Sequence, residues 1–128
     1  MRERRILFDC ERREFPRILV HELFHFVWVR AGNPARVSFE RVVAAEIERR
    51  ARGELGWAAE SRKRKLSKAD RARRTRRWRE YCCESFCDTA AWLYAGVPRH
   101  EEFTLGASWR SKRRAWFKRV WGDRELPV

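Results

Sequence analysis

Three histidines, two tyrosines, four prolines and one methionine are all that this chain of 128 residues holds of those types. It has no CxxC pair, so a zinc knuckle built on paired cysteines is not expected. The cysteines are Cys10, Cys82, Cys83 and Cys87, two adjacent and three within six residues. Such spacing is poor disulfide architecture, and they read as small buried side chains. No apolar run approaches the roughly 20 residues that span a bilayer. The first residues, MRERRILFDCERR, hold only three consecutive apolar side chains, short of the about 7–15 of a signal-peptide core. The expectation is a cytoplasmic protein with no transmembrane segment. No internal repeat is present, and no RRM, KH, helix-turn-helix or zinc-finger signature.

What the chain has in excess is positive charge. Its 31 Lys and Arg against 18 Asp and Glu give a formal net charge of +13. That favours anionic partners, namely nucleic acid or another polyanion, an acidic protein surface or a lipid headgroup layer, without choosing among them. Hydrophobic residues make up 44%, with seven Trp and eight Phe, which excludes a disordered basic tail. The length suits a single domain over residues 1–128.

Residues 5–10, RILFDC, read as a short strand. Pro16 suits the first turn of a helix to about Ala31, closed by Gly32, Asn33 and Pro34. Ser38 can cap a second helix ending near Gly53. Most of the charge excess lies in residues 61–79, a basic helical segment. Within it Ser67 and Asp70 form a capping start for a long helix to Ala95, with Gly96 and Pro98 as stop signals. Ser108 can cap a last helix that carries Trp109, Trp116, Phe117, Val120 and Trp121 on one face. EFTL at 102–105 is a second candidate strand.

Against this background the stretch 18–29, ILVHELFHFVWV, stands out, because nine of its twelve side chains are apolar and the other three are His21, Glu22 and His25. Four residues apart, the two histidines project from one helix face, with Glu22 about 100° around. This is H-E-x-x-H, in which two imidazoles bind zinc and the glutamate is general base on a water. A tetrahedral catalytic zinc needs a third protein ligand. CCESFCDTAAW, at 82–92, supplies candidates in Glu84 and Asp88, about 40° apart on a helix, with Cys87 about 60° to the other side. A bare buried carboxylate is expensive; a metal, or a histidine held by one, removes that objection. Glu84 can ligate zinc, and Asp88 can accept a hydrogen bond from the second nitrogen of a ligating histidine. Glu80 competes with Glu84 but reads better as a solvated partner of Arg76 or Arg77. His100 is a candidate electrophile for an oxyanion, with Tyr81 and Tyr94 as competitors.

The blocks H21-E-L-F-H25 and E84-S-F-C-D88 resemble the zincin metallopeptidases of the gluzincin type, whose pattern is H-E-x-x-H followed by E-x-x-x-D on a second helix. The run E84-S-F-C-D-T-A-A91 is also similar to the glutamate helix of the ImmA/IrrE-like metallopeptidases. The resemblance covers about 30 residues in two blocks. It implies a minimal zincin-like fold, mainly α within the α+β class, with an active-site helix, a glutamate helix and a small short-stranded sheet. It further implies a Zn2+-dependent peptidase acting on peptide or protein substrates. The alternative expectation is a catalytically inactive zincin-like module that regulates or binds, associating with a polyanion.

Overall fold

The computed structural model describes residues 14–122. Pro16 sits in the first turn of α1 (Phe15–Arg30), where its missing N–H is no loss. Gly32 turns the chain at φ 87° and α2 (Asn33–Glu48) begins at once, with Pro34 in its own first turn. Ser38 therefore lies inside α2 instead of capping it, and its hydroxyl accepts a hydrogen bond from Trp116 Nε1 at 2.8 Å. The remaining helices are α3 (Trp57–Lys63), α4 (Lys68–Ala72), α5 (Arg76–Tyr94) and α6 (Ala107–Val120).

The long helix expected from Ser67 to Ala95 is broken in two. Ser67 and Asp70 do form a reciprocal capping box, but α4 lasts only five residues. Arg74 then takes φ 46°, a left-handed conformation that ends a helix. The Thr75 side chain accepts from Trp78 N to restart the helix as α5 and donates to Asp70 Oδ1 at 2.8 Å. One carboxylate so ties the start of α4 to the start of α5, and the basic segment 61–79 is a chain of short elements, not a rod.

Among the described residues there is no strand, so the expected α+β fold with a small sheet is corrected to an all-helical one. The candidate strand at 102–105 is a turn: Phe103 N donates to His100 O and Thr104 N to Glu102 O, each at 3.0 Å. Outside the turn, its backbone meets the Glu54 carbonyl, which accepts from Thr104 N at 2.9 Å and Leu105 N at 3.0 Å. One shared carbonyl does not make a ladder. The candidate strand at 5–10 and Cys10 lie outside the described residues. None of the described helices is long and apolar enough to cross a membrane.

The core is an aromatic cluster in which α1 and α5 are the principal packed pair. Phe86 of α5 stacks on Phe117 of α6 with centroids 5.1 Å apart, and meets Trp28 of α1 at 4.9 Å and Phe39 of α2 at 5.6 Å. Such pairs add about 0.5–1.5 kcal/mol each beyond area burial. Trp116, Phe117 and Trp121 are buried here, so the apolar face of the last helix is core.

Charges are buried too. Arg113, on the same face of α6 as Trp109, Trp116 and Phe117, is fully enclosed, as are Glu46 and Glu54. Its guanidinium donates to Glu46 at 2.8 and 2.6 Å, to Glu54 at 2.9 Å twice, and to Thr89 Oγ1 at 3.0 Å. The Tyr81 hydroxyl also donates to Glu54. Burial alone would raise the Glu54 carboxyl, but Arg113 holds it below its ordinary value. This network anchors the segment between α2 and α3 against α5 and α6, and that segment ends at Gly56, beside the candidate site.

Candidate metal centre

The packing of α1 on α5 brings His21, His25, Glu84 and Asp88 together. His21 Nδ1 donates to Asp88 Oδ1 at 2.6 Å, which leaves His21 Nε2 facing Glu84 Oε2 at 2.9 Å. His25 Nε2 lies 3.2 Å from His21 Nε2 and 3.4 Å from Glu84 Oε1. Three donor groups from two helices thus point at one another. Donors around a tetrahedral zinc with bonds of about 2.0–2.1 Å stand roughly 3.3 Å apart, so the residues present fit the ion.

The electrostatics of the cluster agree with its geometry. Burial pushes His21 down, but Asp88 and Glu84 overcome it and raise the imidazole to about 9. His25 is raised to about 10 by Cys83 and by Glu84. For Glu84, burial works upward, yet the two histidines hold its carboxyl well below the usual carboxylate range. Both imidazoles therefore hold their protons near neutral pH, and a divalent cation at this point would have to displace them.

Asp88 is itself fixed. Its Oδ2 accepts from the Ala59 backbone N–H at 3.1 Å, and Gly56 packs so close that an added Cβ would fall 2.3 Å from the carboxylate. Gly56 is extended, so glycine is required here for space, not for backbone conformation. Neither Ala59 nor Gly56 belongs to any motif; only the approach of α3 to α5 reveals them.

Glu22 is exposed and lines a cavity of about 240 Å³ with His21, Asp88, Glu14, Arg17 and Glu102. Leu19, Leu23 and Phe26 are exposed large apolar residues on the same helix. His100 is not among the donors above. Its Nδ1 accepts from Glu102 N at 3.1 Å and its Nε2 meets Glu14 Oε1 at 2.5 Å. Arg17 Nη1 lies 2.7 Å from Glu14, 3.2 Å from Glu102 and 3.2 Å from His100, so a guanidinium already stands where a second cation would sit. Arg17 is one turn before His21 and buried; the spacing of charged residues does not single it out. Tyr81 is buried on Glu54, and Tyr94 stacks on Phe24 at 5.5 Å. Glu80 is exposed and paired with Arg76 at 2.8 Å.

Two thiols complete the surroundings. Cys83 Sγ lies 3.5 Å from His25 Nδ1; Cys87 and then His25 draw the Cys83 thiol down to about 6. Cys87 is fully buried, and burial pushes its thiol up. No family model matches this chain, and no curated protein or solved structure matches it either.

Proposed function

We propose that the chain is a zinc-dependent peptidase whose metal is held by His21, His25 and Glu84. What supports the reading is the convergence of those three side chains, with the two Nε2 atoms 3.2 Å apart and each facing one Glu84 oxygen, at 2.9 Å for His21 and 3.4 Å for His25, beside the cavity that Glu22 lines. Zinc, when bound, supplies Lewis acidity: it polarises the carbonyl to be cleaved and makes water a better nucleophile near neutral pH. Glu22 takes the proton from the attacking water and returns it to the leaving amine. Asp88 holds His21 in the tautomer that frees Nε2. Leu19, Leu23 and Phe26 offer an extended peptide an apolar surface next to Glu22. His100 orders the Glu14–Arg17–Glu102 wall of the cavity in this scheme.

The alternative is a module that keeps the metal but does not hydrolyse, and that associates with nucleic acid or another polyanion. Exposed cations such as Lys65, Lys68, Arg73, Arg77 and Arg79 favour it.

Elemental analysis of the purified protein and of Glu22→Gln separates these. About one zinc per chain is expected in both. Hydrolysis of casein should fall by roughly a hundredfold or more in Glu22→Gln, the range of general acid–base contributions. A chain that takes up no zinc, even after zinc is supplied, overturns the proposal; a chain that holds zinc and cleaves no peptide is the binding module.

A further inference from the structure

We infer that the groove between α2 and α6 binds single-stranded nucleic acid, with Trp109 as the platform for one base and Arg49, Lys112 and Arg119 on the backbone phosphates around it. This site shares no residue with the zinc centre and does not depend on it. It also lies outside residues 61–79, whose cations favour the polyanion reading above.

Val42, Ala45 and Arg49 follow one another along α2 at steps of three and four residues, and Trp109, Lys112, Trp116 and Arg119 do the same along α6, so each set shares a helix face. Trp116 is the floor between them: it is buried, and its Nε1 donates to Ser38 Oγ of α2 at 2.8 Å. Ala45 and Ala115 are too short to close the space, and a cavity of about 320 Å³ remains. Trp109 differs from the other tryptophans of α6. Trp116 and Trp121 are buried in the core, whereas Trp109 is half-buried. Its contact with Leu55, Phe103 and Leu105 fixes the ring, and the Lys112 ammonium lies over it, 4.5 Å from the centroid. A cation in that position marks an indole face open to a ligand's π-system. Lys112 is exposed, so a base takes its place on the indole while the ammonium moves to the adjoining phosphate.

The charge of the groove is of one sign. Arg49, Lys112 and Arg119 are exposed around it, and no acid lines it. The α2 acids next to Arg49 in sequence are engaged elsewhere, Glu46 by Arg113 at 2.6 Å and Glu48 by Arg71 at 3.1 Å. Three cations around one aromatic ring suit a strand in which phosphates alternate with unpaired bases. A duplex keeps its bases inside the stack and offers the indole no face to meet. A lipid headgroup has the charge without the ring.

Fluorescence anisotropy tests the site with two probes: a short labelled oligothymidylate, and an abasic strand of equal length that keeps the phosphates and lacks the bases. The parent chain is compared with Trp109→Leu, Trp109→Phe and the double variant Arg49→Ser, Arg119→Ser, each first checked for parental helix content. The parent should bind oligothymidylate about 5–150-fold more tightly than the abasic strand, the range of one base stacked on an aromatic ring. Trp109→Leu keeps the apolar contact and should lose that preference, with affinity for the abasic strand unchanged. Trp109→Phe should keep most of it. The double arginine variant should lower the log–log salt slope by up to about 1.4, near 0.7 for each phosphate contact on a single strand. A strand carrying iodouracil, photocross-linked to the parent, should attach at Trp109, a readout that needs no variant to fold. Equal affinity of the parent for the two strands, or no binding at low salt, overturns the site. So does a preference that survives Trp109→Leu, a cross-link on another residue, or a salt slope unchanged in the arginine variant, each of which puts the strand elsewhere. Polyglutamate bound as tightly as oligothymidylate, and released by the arginine substitutions, overturns nucleic acid in favour of an acidic protein partner.

Discussion

Asp88 commits both carboxylate oxygens to orientation, one to His21 and one to the Ala59 amide. In the proposed zinc centre its effect on the metal would be indirect, and its loss should be graded. Asp88→Asn is expected to cost roughly 10–100-fold in zinc affinity, read by competition with a chromogenic chelator. Gly56→Ala should act on the same property from outside the motif. The new methyl needs the space that the Asp88 carboxyl occupies, so either the α3 segment or Asp88 must move. Zinc affinity should fall in Gly56→Ala by an amount close to that of Asp88→Asn, and the double variant should be little worse than either single one, because both remove one interaction. Additive losses would show that Gly56 matters for packing alone.

Helices here are placed by charges more than their apolar periodicity suggests. Arg113 lies among aromatic residues on α6 yet donates to Glu46 of α2 and to Glu54 ahead of α3. Arg113→Leu leaves two carboxylates buried without their counter-ion and should destabilise the fold by about 3–5 kcal/mol, measured by urea unfolding. Arg76→Ala removes an ion pair of similar length, 2.8 Å to Glu80, but both partners are exposed; a change of about 0.5 kcal/mol or less is expected. Equal shifts in the two variants would mean that the buried network does not hold these elements together.

For the molecule as a whole, several carboxylates carry stability that acid removes. Burial works upward on Glu14, Glu40 and Glu54, but His100, Arg74 and Arg113 respectively leave each below its ordinary value. The Ser67 backbone N–H does the same for Asp70. A carboxyl depressed in the folded state stabilises fully above its unfolded pKa, about 4, and the contribution is lost as pH falls through the folded value. In the metal-free chain His21 and His25, raised to about 9 and about 10, add stability as pH falls toward their unfolded value near 6.5, so the urea midpoint should rise as pH falls from about 9 to 6 and drop steeply below about 4; a midpoint that holds at about pH 2.5 would contradict these pairings. Charge excess works on partners, not on the fold. Retention on duplex DNA should fall steeply with salt, and Lys65→Ser, Lys68→Ser and Arg77→Ser together should lower the log–log salt slope by up to about 3, near 0.9 for each phosphate left without its cation. An unchanged slope would place the DNA-binding surface elsewhere.

H-E-x-x-H and the acid pair on α5 are legible in the sequence alone, because spacing along a helix is a local property: residues four apart share a face whatever the helix packs against. The boundaries of α1 are legible for the same reason, from Pro16 and Gly32. The sheet expected from family resemblance is not a local inference, and the described chain has none. The break at Arg74 and Thr75 is hidden because helix propensity cannot foresee that Asp70 will be engaged by Thr75 five residues on. Arg113, Glu46 and Glu54 look like surface charges, since charged residues are nearly always exposed unless paired, and their pairing joins positions 59 and 67 residues apart. Whether Glu84 meets His21 and His25, and whether Gly56 packs on Asp88, depends on how α1, α3 and α5 pack. Packing is decided by the shapes and charges of the whole core at once, and no stretch of chain carries that information alone.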